Sequence, residues 1–143
     1  MGAPSQQNNT ADTADTADRR SAIPRSGFWR SFAFAGQGVW HVVRTQRNMR
    51  VHLTAAAAVI ALAVILRVTA VDWACLLAVI GLVLTAETLN TVVEAVVDLY
   101  TDEFHPLAKI AKDVAAAAVL ISCVAAVGVG IAVFLPRLLR SAG

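Results

Sequence analysis

Charge is what this chain has least of. Charged residues fill 15% of its 143 positions, against about 25% in an ordinary soluble domain, while hydrophobic residues fill 57%. That balance excludes a water-soluble globular protein. Aromatics are scarce as well, at 6%, so the apolar content is Ala, Val, Leu and Ile, the vocabulary of helices packed in lipid. The two cysteines, Cys75 and Cys123, lie in separate apolar runs without a neighbouring His or second Cys, which argues against both a disulfide framework and a cysteine metal site. Missing too are a GxxxxGK[ST] loop, a GxSxG elbow, an HExxH pair and a CxxC pair. Gly36-x-Gly38 lacks the further glycines and the preceding strand of a dinucleotide fingerprint. The net charge of +2 says little by itself, and no nucleic acid partner is expected.

What is present predicts an all-α polytopic membrane protein with three transmembrane helices and an N-terminal amphipathic surface helix. Residues 1–26 are polar and repetitive, with ADTADTAD at 11–18, and read as a disordered tail. No apolar core follows Arg19 and Arg20 closely enough for a signal peptide, so no cleavage is expected. Residues 27–143 form a single domain. In the surface helix, 27–45, Phe28, Phe32, Ala35, Val39 and Val42 recur at helical spacing, with Trp29, Trp40, Arg30 and Arg44 suited to the lipid–water interface. Spans follow at about 50–67, 72–99 and 106–135. Pro106 fits the first position of the third span, and Pro136, Arg137 and Arg140 are expected to end it. That span also carries a small-residue surface, including Ser122, Ala126 and Gly130, which favours close helix contact in lipid. Seven of the twelve basic residues precede the first apolar run, which puts the N-terminus in the cytoplasm of a multi-pass inner-membrane protein.

The second span runs from apolar sequence straight into ETLNTVVEAVVDLYTDEFHPLAKIAKD, Glu87 to Asp113. On a helix, Asn90, Glu94 and Asp98 fall within about 60° of Glu87, so four polar groups share one stripe. Aligned carboxylates with an amide between them suit a divalent cation, or a base placed beside one. The bland alternative is that Lys109 and Lys112 simply neutralise Glu87 and Glu94. Five acids against those two lysines leave a negative surplus, which favours a cation site. His105 alone suits capping better than metal binding, and His41 and His52, without clustered partners, read as structural. From the residues alone the acceptor of any chemistry stays open.

The same residues resemble the signature of the prokaryotic diacylglycerol kinase family of small membrane lipid kinases, roughly E-x-x-N-[ST]-x-x-E-x-x-x-D, then EYH, then AKD. Here these stand as Glu87 to Asp98, Glu103-Phe104-His105 and Ala111-Lys112-Asp113. The resemblance runs from about Phe28 to Phe134. HPLAKIAKD with RNMRVH looks more like the undecaprenol kinases of Gram-positive bacteria than the diacylglycerol kinases of Gram-negative ones. It implies a homotrimer with active sites shared between protomers, and transfer of the γ-phosphate of ATP, with Mg2+, to a membrane lipid alcohol. It implies Glu87 as general base, Glu94 as metal ligand, Asn90 and Asp98 around metal and nucleotide, Glu103 and His105 as nucleotide contacts, and Lys112 and Asp113 as the pair that meets the phosphates. Phosphoryl transfer needs little beyond such positioning and charge neutralisation.

One position departs from the pattern. A T-E-R-N segment before the first span supplies a second metal carboxylate in the family, and here it reads Thr45-Gln46-Arg47-Asn48. Gln46 offers the metal a neutral carbonyl oxygen in place of a charge, which predicts weaker metal affinity. Phe34 likewise replaces a tyrosine near the nucleotide. The leading expectation is an undecaprenol kinase. Its rivals are a diacylglycerol kinase making phosphatidic acid and a weakly active paralogue with an assembly role, the last suggested by Gln46 alone.

Overall fold

The computed structural model describes residues 27–100 and 103–141, so the 1–26 tail and Asp102 lie outside the described residues. Four helices follow one another: α1 (Phe28–Thr45), α2 (Arg47–Ile65), α3 (Ala70–Tyr100) and α4 (Pro106–Ser141). The last three are long and apolar enough to cross a membrane, with mean hydropathies of 1.7, 1.9 and 2.7. The chain is a multi-pass membrane protein. Among the described residues, 27–37 belong to one compact unit and those from Gly38 to another. Within the first, the Trp29 and Phe32 rings lie tilted 6.4 Å apart and the Arg30 guanidinium sits over Phe34. In the second, Arg44 covers the Trp40 ring in the same way, so basic groups stack on aromatic faces along α1.

Gln46 alone separates α1 from α2. Its backbone is extended, with φ −92° and ψ 118°, and its side chain makes no capping hydrogen bond. The alanine-rich run beyond it has high helix propensity and continues to Ile65. There the helix closes in a Schellman motif: Val68 N–H donates to the Ala63 carbonyl and Arg67 N–H to that of Val64. Arg67 takes φ 47° at the left-handed position, which costs a residue with a Cβ about 1 kcal/mol. Two turn residues later Thr69 and Asp72 form a reciprocal capping box. Thr69 N–H and Oγ1 donate to the Asp72 carboxylate, while Asp72 N–H donates back to Thr69 Oγ1. This pair starts α3 at Ala70, two residues before the expected start of the span.

Packing fixes this end of the fold. Ala63, Val68, Leu76, Val133 and Phe134 form a buried cluster, and Leu62 and Trp73 pack against it. Trp73 is thus a core contact. α3 and α4 form an antiparallel hairpin and make the most extensive helix contact of the fold. Pro106 opens α4 as the sequence predicts. Its other proline does not end it: the helix runs through Pro136 to Ser141, past the expected limit at 135. A proline inside a helix removes one backbone donor and crowds the carbonyl a turn earlier. Arg137 reinforces the backbone there, donating from Nη1 to the Val133 carbonyl and from Nη2 to the Asp72 carboxylate at the start of α3. A charge that looked like a terminator therefore ties α4 to its neighbour. α2 is corrected likewise, to 47–65, and α3 to 70–100.

Candidate functional site

Because α3 stays helical through Tyr100, the polar stripe keeps its register and is graded in depth. Glu87 is only 2% exposed and Asn90 6%, Glu94 is half-buried and Asp98 open to solvent. The backbone around Glu87 is rigid, with Thr91 Oγ1 donating to its carbonyl at 3.0 Å. Asn90 Nδ2 donates to Glu94 Oε1 at 2.9 Å, which turns the amide oxygen the other way. That Oδ1 is buried and has no hydrogen-bond partner. A buried polar atom left unmatched is costly and asks for a ligand.

The lysines do not neutralise the deep acids. Lys112 Nζ lies 2.6 Å from Asp98 Oδ1, and Lys109 pairs with Asp113 one turn along α4. Glu87 instead faces His52 of α2, with Nε2 3.9 Å from Oε2. His52, expected to have no clustered partner, thus has one in Glu87. It is an ionisable side chain inside an apolar run, a place where such residues are functional by default, and its partner lies on another helix, beyond the reach of spacing within α2.

The predicted residues fall into two groups. Glu87 and Asn90 line a cavity of about 320 Å³ together with Asn48, His52 and Cys123. Asp98, Glu103, His105, Lys112 and Asp113 line another of about 480 Å³ around the α3–α4 turn. Glu94 connects them in sequence and is tied to the first through Asn90. Gln46 lines neither of these two cavities. His105 does cap: its Nδ1 accepts from Leu107 N–H at 3.3 Å, consistent with its place just before α4.

Among the described residues no three His, Cys, Asp or Glu side chains gather closely enough to hold a metal by themselves. The oxygen donors present are the Glu94 carboxylate and, turned away from it, the free Asn90 Oδ1. Oxygen donors of this kind suit a small hard cation such as Mg2+ that keeps waters and takes other ligands from substrate phosphates.

A deep acid, Glu87, thus sits in a helical hairpin with acids and lysines lining a second cavity at its turn. Residues 33–134 match the family model for prokaryotic diacylglycerol kinase. The chain is 41% identical over 124 residues to the undecaprenol kinase of Bacillus subtilis, an alignment covering 87% of this chain and 99% of that protein. It is 47% identical over 110 residues to the diacylglycerol kinase of a Synechocystis species, covering 76% of this chain and 63% of that protein. The chain therefore spans less than two thirds of the second relative's length. It belongs to the prokaryotic diacylglycerol kinase family, and is a lipid kinase that uses ATP.

Proposed function

We propose that this chain transfers the γ-phosphate of ATP to undecaprenol at the cytoplasmic face of the membrane, with Glu87 as general base. The observation that carries the reading is the Glu87 carboxylate itself, buried beside the unmatched Asn90 Oδ1 and paired to neither lysine. A carboxylate this buried, with no lysine or arginine against it and only His52 3.9 Å away, is costly to keep charged, a cost that catalysis explains and packing does not.

In this reading the acceptor hydroxyl donates to Glu87, which takes the proton as the oxygen attacks the γ-phosphorus and ADP leaves. Glu94 and Asn90 would hold Mg2+, with Gln46 as a neutral additional ligand. The metal supplies charge neutralisation at the phosphates. Asp98, Glu103, His105, Lys112 and Asp113 form the nucleotide side, and Lys112, held by Asp98, is positioned to meet a phosphate. The seven early basic residues favour a cytoplasmic N-terminus, and the small-residue surface of α4 suits close helix packing in a homotrimer.

Undecaprenol is preferred because the relative matched over nearly its whole length is an undecaprenol kinase. The higher identity to a diacylglycerol kinase keeps diacylglycerol as the second reading. The test offers both lipids side by side in detergent with labelled ATP, and Glu87→Gln as control. Label in undecaprenol, absent from the control, is the expected result. Preference for diacylglycerol transfers the reading to the second lipid, and a fully active control removes Glu87 as base.

A further inference from the structure

The cavity around Glu87 shares His52 and Cys123 with a second one, of about 250 Å³, that runs past Ala55, Ala126 and Gly130 and is otherwise lined by apolar side chains. A Cβ added at Gly130 would meet nothing within 4 Å, so this trough has unfilled room. The polar and apolar cavities thus meet at His52. Its Nε2 stands 3.9 Å from Glu87 Oε2, too far for a hydrogen bond between them. One oxygen atom about 2.8 Å from each would bridge that gap at an angle of roughly 90°.

An alcohol has one proton to donate and two lone pairs to offer. With the ring proton on Nε2, His52 donates to one lone pair while the alcohol donates to Glu87, which leaves the other pair free. We infer that His52 is an acceptor-binding residue that holds the lipid hydroxyl against Glu87 while the first part of the hydrocarbon chain lies in the apolar trough. The inference rests on the assignment of Glu87 as base. In the transfer the O–H bond breaks toward Glu87, and the free oxygen pair forms the bond to the γ-phosphorus. The bond from that phosphorus to the bridging oxygen breaks, and its pair leaves on ADP. His52 keeps its proton throughout. It orients the nucleophile, and fixes how far the chain reaches into the trough.

The experiment compares His52→Leu, His52→Gln and Glu87→Gln with the unaltered chain in detergent, varying undecaprenol, diacylglycerol and ATP in turn. His52→Leu should lower kcat/KM for the preferred lipid about tenfold, the loss of one hydrogen bond at the reacting atom, with KM for ATP unchanged. His52→Gln, which keeps an N–H at similar reach, should recover most of that loss. A leucine variant with unaltered kcat/KM, or leucine and glutamine variants equally impaired, overturns the proposal. If Glu87→Gln is inactive in that case, the base assignment stands alone. If Glu87→Gln is fully active, the base assignment falls and this inference with it. Should the variants fail to fold, nitrogen-15 histidine spectra of the unaltered chain decide: the His52 ring signals should shift on adding the lipid alcohol and not on adding ATP. Unmoved signals overturn the proposal.

Discussion

Lys112 reaches across the α3–α4 turn to Asp98, its Nζ 2.6 Å from Oδ1. The lysine that the family pattern assigns to phosphates is thereby held in place by an acid of the stripe. Both side chains are well exposed, at 39% and 61%, and an exposed pair contributes only about 0–1 kcal/mol to stability.

On the proposed reading, the pair serves activity. Lys112→Met should raise KM for ATP at least roughly tenfold, as loss of a phosphate contact does, while Asp98→Asn should shift stability by less than about 1 kcal/mol. Initial rates against ATP and thermal unfolding in detergent measure the two. A Lys112→Met enzyme with unchanged KM and kcat would remove the lysine from the nucleotide side.

For Glu87→Gln the expected loss is in kcat, on the order of 10²- to 10⁴-fold, the usual worth of a general base. The shape of the side chain is kept and nucleotide binding with it. Rates at saturating lipid and ATP, set beside binding of a fluorescent nucleotide, separate the two effects.

Gln46→Glu should lower the Mg2+ concentration needed for half-maximal rate, because a carboxylate adds a charged oxygen ligand where the amide offers a neutral one. The amide makes no side-chain capping bond at the start of α2, so the substitution breaks no cap. An unchanged magnesium titration would show that this position does not touch the metal.

Arg137→Leu removes the partner of Asp72, whose side chain is only 20% exposed. Leaving one member of a partly sheltered ion pair alone is more damaging than removing both, and the single variant should have a lower thermal midpoint. Adding Asp72→Asn should restore part of that loss, since Asn keeps a side-chain oxygen for the Thr69 cap. Thermal midpoints of the single and double variants decide it.

Much of this was legible from local pattern. Apolar run length gave the three spans, helical spacing gave the stripe from Glu87 to Asp98, and the missing N–H of Pro106 gave the start of α4. Features that depend on distant partners were not. The helix continues past Pro136, where Arg137 meets Asp72 on another helix. His52 matters because α2 packs it beside Glu87, and no spacing within α2 encodes that. The separation of the stripe into a deep and an outer cavity was also hidden, because periodicity sets direction around a helix and says nothing of what covers each turn.

The two ion pairs of the hairpin also act as a ruler. Asp72 and Asp98 stand about 26 residues apart on α3, and Lys112 and Arg137 about 25 on α4, on the order of 38 Å at ~1.5 Å per residue. The intervals match, so the two pairs close in the same register of α3 against α4. That length also exceeds the ~30 Å of a bilayer's hydrocarbon. Tilting the hairpin is one way to meet a membrane of different thickness, and it leaves the spacing of Glu87 from each pair along α3 unchanged.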